Sequence, residues 1–388
     1  MNPKITTVLL FFAFLLQLNT YAAPTKPSED EEPNHFSTVI RVVLDNRVRS
    51  AQLSTLRRLL YVRGDHSKSW KPLGAEASVK EISIGKERVL AVNGTPFLSR
   101  HLAIESTPTS SSIQYKSKNY RGTIQFHLMD WGITVTNSLP LENYLEDMLA
   151  SEMAPSWEME ALKAQAVASR TYALYMAEHP KNALYDLEPG TQDQVYGGVN
   201  ENNRVNSAVA ATRGEYLSSI RGPIKAYYHS RCGGKTETDG SVWKSGHESH
   251  RRVVCPYCQQ NPFPWRVQVE KAELLRLLGL NSVFSQLRIV ALGKSPSGRI
   301  DKLKIGADGN EKTLLSDQLR RLLGYDKIKS TRFDWTMDDH SVVFEGFGSG
   351  HGVGMCQWGA QYLAKKGKTH REILAHYYPA ATLKTLKN

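Results

Sequence analysis

Four residues near the middle of the chain have the types and spacing of metal ligands. His229 and Cys232 are separated by two residues, and after a gap of 22 residues Cys255 and Cys258 repeat the interval. Pairs spaced in this way present two side chains around one tight turn, and Gly233, Gly234 and Pro256 supply the turn chemistry. The set suits a tetrahedral zinc ion with no open position, which is a structural role. Two other readings stand beside it. In an oxidising compartment Cys232 can close a disulfide with Cys255 or Cys258, leaving odd thiols behind. His247 or His250 can also replace His229 as the fourth ligand, leaving His229 in a cleft.

A second concentration of chemistry lies in "GSGHGVGMCQWGA", where Gly348, Gly350, Gly352 and Gly354 allow close backbone approach and His351 and Gln357 offer polar groups. The segment lacks the strand-GxGxxG-helix layout of a dinucleotide site and the Gly-Lys-Ser/Thr ending of a phosphate loop, so a cleft-lining loop fits better. His351 with Cys356 offers a base beside a thiol nucleophile as the competing chemistry. The third candidate is Glu152, which ends a predicted helix immediately before Met153-Ala154-Pro155, where a carboxylate can point into a cleft. Taken alone, a glutamate at a helix end is an exposed charge.

The elements around these residues follow from periodicity. From Phe36 to about Asn137, short alternating apolar runs separated by Gly, Asn, Asp and Ser predict a β-rich part covering residues 36–137. At Leu139 the period changes to three and four, which predicts two helices separated by Pro155, with Ser156 as N-cap of the second. On that second helix Ala161, Ala164 and Ala168 share a face that admits a close neighbour. Gln165, Ser169 and Tyr172 make a polar stripe beside it that reads as a cleft wall. Farther on, Lys271–Leu280 reads as a helix, Ser297-Gly298 as a hairpin turn, Ser316 as the cap of a helix, and Thr369 as the cap of the last one. The fold class is α+β, a helical segment with several small β-rich subdomains around a cleft.

The chain has 388 residues, 40% of them hydrophobic, enough to bury a sizeable core. Residues 1–22 have the layout of a secretory signal peptide, with Lys4, an apolar run from Val8 to Leu16 and small residues at the end. That run falls below the roughly 20 residues a membrane helix needs, and no later segment reaches the length, so no span is expected in the mature chain. Residues 23–35, rich in Pro and Glu, read as a flexible linker. The net charge of +11 favours residence against polyanions. Export makes the cell wall the expected one, and the scattered basic residues show no nucleic-acid-binding pattern.

The segment "LPLENYLEDMLASEMAPSWEMEALKAQAVASRTYAL" resembles the SpoIID family of sporulation cell-wall lytic transglycosylases over its whole length. "TQDQVYGG", "YYHSRCGGKTE" with "VW" after it, "SGRI", "GFGSGHGVGMCQWGA" and "EILAHYYP" follow in the family's order. The resemblance runs from about Phe36 to the C-terminus and implies a catalytic region over 138–388. It implies that Glu152 is the catalytic acid, acting on peptidoglycan glycan strands, with denuded glycan as the expected substrate, and that no cofactor is required for catalysis. Burial against Met153 and Trp157 would hold that acid protonated. It also places Gln165, Arg170, Tyr172, Gln194, Tyr196, His351 and Gln357 on motif positions, read here as cleft residues binding acetamido and hydroxyl groups. Zinc is associated with some family members, though with varying ligand spacing. The family usually has serine where Cys356 stands, which favours packing for that thiol. Related amidase-enhancer proteins imply a cell-wall amidase as a partner, and a non-catalytic glycan-binding role as the alternative.

Overall fold

The computed structural model describes residues 38–386 apart from 57, 66, 68, 108–110, 244–249, 281–286 and 308. The expected signal peptide and linker, and His247, lie outside the described residues. The β-rich part is built as two six-stranded sheets. In the first, the order is Val39–Val48, Gly132–Pro140, Thr123–Met129, His101–Thr107, Leu59–Gly64, Lys71–Gly74. In the second it is Lys118–Tyr120, Ile113–Tyr115, Ser50–Ser54, Glu76–Ile84, Glu87–Val92, Thr95–Phe97. Alternation decides which side chains go inward: Ile40, Val42, Ile124 and Phe126 from the first sheet share one core with Leu53, Val79 and Leu90 from the second.

Gly132–Pro140 is paired on both sides and buried along nearly its whole length. It hands directly to helix α1 (Leu141–Glu152), whose buried residues Leu141, Tyr144, Leu145, Met148 and Leu149 recur at helical spacing and join the same core. The expected β-rich and helical parts therefore do not have separate cores. Helix α2 (Met159–Glu178) is buried almost all round. One side belongs to the sheet core through Ala166, Tyr172, Ala173 and Leu174. The other carries Ala164, Val167 and Ala168 into a second core.

Among the described residues the remaining helices are α3 (Asn203–Ala211), α4 (Asp239–Trp243), α5 (Pro256–Gln260), α6 (Lys271–Leu278), α7 (Ser316–Leu323), α8 (Gln357–Lys365) and α9 (His370–Tyr377). Ala360 of α8 and Ile373, Leu374 and Tyr377 of α9 complete the second core, so the small face of α2 does admit a close neighbour. Between α5 and the glycine-rich segment, residues 264–347 build a third core from Trp265, Leu274, Leu303, Leu319 and Phe344. It lies under two three-stranded sheets, one made of Pro264–Glu270, Ser341–Phe347 and Phe333–Met337, the other of Arg288–Lys294, Ile300–Ala307 and Asn310–Leu315.

Two expected caps are corrected. Helix α2 begins three residues after Ser156, with Glu158 at the N-cap and its N–H donating to Gln361 Oε1 (2.9 Å). Ser316 is the first residue inside α7; the cap is Leu315, whose N–H donates to Gln318 Oε1 (2.8 Å). Thr369 does cap α9, accepting from the Glu372 N–H while Glu372 accepts from the Thr369 N–H.

Candidate functional site

Helix α1 stops at Glu152 because Pro155 follows, and Met153 at its C-cap is extended. The Glu152 carboxyl lies on the wall of a cavity of about 340 Å³, partly buried. Its Oε1 accepts the backbone N–H of Val195 at 2.5 Å. Burial raises its carboxyl above the usual glutamate range, with the Val195 N–H and the neighbouring Tyr228 phenol pulling the other way. The group is thereby biased toward the protonated, proton-donating form. The expected neighbours Met153 and Trp157 belong instead to a small apolar cluster with Ala161, Leu162 and Ala208.

The loop that carries Val195 is fixed from below. Gln194 is fully buried; its Oε1 accepts the Tyr144 hydroxyl (2.9 Å) and its Nε2 donates to the Ser169 carbonyl (3.2 Å). Gln194 therefore ties α1, α2 and the loop together so that the next N–H meets Glu152. Gln194, expected as a substrate contact, does not line the cavity, and neither do Gln165, Arg170 and Tyr196. Gln165 donates to Ser169 Oγ (3.0 Å) and accepts from Gln357 Nε2 (3.3 Å), and the Tyr196 hydroxyl donates to Asn137 Oδ1 (2.6 Å). Arg170 has no exposed surface and forms a two-pronged pair with Glu142 at 2.8 Å for each bond, with further bonds to the carbonyls of Glu215 and Val209. These four pack in the layer behind the cavity wall.

Tyr172, His351 and Gln357 do line the cavity together with Glu152, and so does His229. Gln357 Nε2 donates to the carbonyl of Glu152 (3.1 Å), which makes it a positioning group for the end of α1. Both nitrogens of His351 are committed to backbone: Nε2–H donates to the Tyr228 carbonyl (2.9 Å) and Nδ1 accepts the Val353 N–H (3.1 Å). Its burial among His229, Arg320 and Arg299 pushes its basicity well down, so the cavity meets a neutral ring. The glycines around it approach the protein's own chain more than a ligand. A side chain on Gly350 would press on His229, one on Gly354 on the Tyr227 carbonyl, and both glycines have positive φ (103° and 69°).

His229 is not among the cysteines. Its Nδ1–H donates to the Val353 carbonyl (3.0 Å), and its ring stands 5.4 Å from that of His351. The sulfur that joins Cys232, Cys255 and Cys258 belongs to Cys356, 98 residues beyond Cys258. Because its thiol is buried among those three sulfurs, Cys356 is not a nucleophile paired with His351.

Several cavity residues were not expected from the sequence. Trp243 stacks on Tyr227 with ring centroids 4.4 Å apart and meets His351 at 5.0 Å, forming an aromatic wall with Tyr172. Alongside the third core, α7 and the turn after it bring Asp317, Arg320, Arg321 and Tyr325 to the cavity wall. Two further carboxylates are therefore present, and both are neutralised. Asp193 accepts from the Tyr172 hydroxyl (2.9 Å), the Glu188 N–H (2.7 Å) and Lys181 (2.8 Å), and Asp317 pairs with Arg320 at 3.0 Å. Signals for some of these existed: Tyr227, Tyr228 and Trp243 lie in matched motifs, and a count of four cysteines left Cys356 as the natural fourth sulfur. Arg321 and Tyr325 had none.

A family model described as Stage II sporulation protein matches residues 130–218, the stretch holding the central strand, α1, α2 and α3. Stage II sporulation protein D of Bacillus subtilis (strain 168) is 32% identical over 261 residues, taking in 62% of this chain and 73% of that protein. The chain belongs to the SpoIID family. An uncharacterized protein of Brachyspira hyodysenteriae is 37% identical over 263 residues, or 67% of this chain and 70% of its own. The Amidase enhancer of Bacillus subtilis is 27% identical over 336 residues, 72% of this chain but 46% of that longer protein. A second model, of a domain of unknown function, matches residues 256–354 and so takes in the third core of this SpoIID protein. Among the described residues no helix is long and apolar enough to cross a membrane.

Proposed function

We propose that this SpoIID protein is an exported, cell-wall-acting lytic transglycosylase that cleaves the MurNAc-GlcNAc bond of peptidoglycan, and that Glu152 is its acid and then its base. The observation that carries this reading is the state of Glu152. Among the described residues lining the cavity it is the carboxyl without a basic partner, and burial favours its protonated form. The protonated carboxyl donates to the glycosidic oxygen as the bond from C1 of the muramic ring breaks. The C6 hydroxyl of the same ring then forms the new bond to C1, and the carboxylate takes its proton. The leaving sugar departs with a free hydroxyl, and the other end is a 1,6-anhydro-MurNAc. Hydrolysis by the two-carboxylate route asks for a second free acid, and Asp193 and Asp317 are both held in ion pairs. The aromatic wall of Tyr172, Tyr227 and Trp243 suits the apolar faces of sugar rings. Incubating the purified protein with peptide-stripped glycan and analysing the ends by mass spectrometry should reveal anhydro sugars. Intact strands would contradict the reading.

The likeness to an amidase enhancer supports a second reading, in which the cavity holds glycan for a partner amidase without cutting it. In that case strands stay intact with this protein alone, while an added cell-wall amidase works faster in its presence.

A further inference from the structure

Cys232, Cys255, Cys258 and Cys356 come from three separate stretches of chain. Cys232 follows the short strand Tyr228–His229, Cys255 and Cys258 flank the first turn of α5, and Cys356 precedes α8. All four are fully buried, and their sulfurs lie within 4.8 Å of one another, with Cys258 and Cys356 at 3.6 Å. A tetrahedral zinc ion with bonds of about 2.3 Å spaces its sulfurs about 3.8 Å apart, so little contraction would bring this set to coordination distance. The surroundings suit thiolates. The Gly234 N–H donates to Cys232 Sγ (3.4 Å), and the Tyr377 hydroxyl stands 3.3 Å from Cys255 Sγ. Arg299, itself buried, donates to the Cys232 carbonyl (2.9 Å), and its Nε has no hydrogen-bond partner among the described residues. Four thiolates around a divalent ion carry a net charge of minus two, which donors and a buried guanidinium of this kind offset.

We infer that Cys232, Cys255, Cys258 and Cys356 form a closed tetrathiolate site for one zinc ion, which fastens the His229 strand, α5 and α8 behind the cavity. Binding converts four thiols and a zinc ion into a zinc tetrathiolate and four released protons, with no change of oxidation state. With every coordination position filled by sulfur, the ion has no place for water and acts structurally. The site holds in register the strand that carries His229 and the helix that carries Gln357, both on the wall that holds Glu152. The packing leaves no slack: a side chain on Gly359 would collide with Cys255 Sγ and the Tyr377 hydroxyl.

The test is metal analysis of the purified full chain, with thiols counted after denaturation and the intact mass measured without reductant. The expected result is one zinc per chain, four alkylatable thiols on denaturation, and a mass showing no loss of hydrogen. Cobalt exchanged into the native protein should give the sulfur-to-metal charge-transfer band of a tetrathiolate, a readout that needs no variant. Cys356→Ser should lose its zinc to a chelator that the native protein resists, whereas His229→Gln should keep it. Two disulfides with no metal, iron in place of zinc, or loss of zinc from His229→Gln but not from Cys356→Ser would overturn the inference.

Discussion

Glu152 is held in an environment that works against its own ionisation. Because its folded pKa lies above the unfolded one, ionisation is free of penalty below the ordinary glutamate value of about 4.3. The penalty then grows as pH rises through the raised folded value. Glu152→Gln keeps an oxygen for the Val195 N–H and removes the charge. The variant should therefore melt at or above the wild-type temperature near about pH 7.5, with the difference closing toward about pH 4. Thermal melts across that range check it, and a variant less stable at the higher pH would show that the charged form is the favoured one. Gln194 makes a second claim at this scale. Gln194→Ala releases the loop beside Glu152 and should lower kcat by on the order of tenfold with KM little changed, since the residue does not line the cavity. Steady-state kinetics separate the two parameters. Motif position singled out Glu152 in the sequence, and the structure puts it on the cavity wall. Motif position did not make legible which motif residues face the cavity, because Gln194, Gln165, Arg170 and Tyr196 meet these partners across 28 to 192 residues of chain, as in the Tyr144–Gln194 and Tyr196–Asn137 bonds.

At the scale of elements, the pair of α1 and α2 is the frame. Its existence follows from apolar spacing and from Pro155, and the small face of α2 correctly implied a close partner, which is the second core shared with α8 and α9. What periodicity does not reveal is the clamp. Arg170 of α2 and Glu142 of α1 are joined by two bonds in a site where the arginine has no exposed surface. Removing one partner leaves the other charge without compensation, so Arg170→Met should cost about 3–5 kcal/mol in denaturant unfolding. Combining it with Glu142→Gln should cost less than the sum of the two single changes. Additive losses would mean that the pair is not coupled. The cap at Ser156 failed as an expectation because the Glu158 N–H is satisfied by Gln361 of α8, a tertiary partner that local sequence does not reveal.

At the scale of the molecule, the cavity is completed by residues from different cores. The sheets and α1 present Glu152, the glycine-rich loop presents His351, and α7 with the turn after it adds Arg321 and Tyr325. Arg321 is exposed, and its guanidinium interacts with Tyr325. On the proposed function it would meet the lactyl carboxylate of a muramic residue. Arg321→Ala should raise KM for glycan about five- to tenfold with an unchanged melting temperature and kcat nearly retained. A fall in kcat alone would assign it another role. Nothing local in "SDQLRRLLGY" marks these side chains as facing a cleft. An amphipathic helix with a basic outer face reads as a solvated one, and only the packing of residues 264–347 against the rest turns it inward. The fold class, the central helices and the hairpin at Ser297-Gly298 were readable because local pattern fixes them. The cluster of four cysteines and the cavity residues of α7 depend on contacts between distant segments.

On the proposed function a single glutamate carries the chemistry. The decisive measurement is mass spectrometry of peptide-stripped glycan strands incubated in parallel with the native protein and with Glu152→Gln. The expected result is 1,6-anhydro-MurNAc ends from the native protein and a loss of at least about 10²-fold in the variant, with its fold intact. Anhydro ends released equally by both proteins, or reducing ends in place of anhydro ends, would contradict it.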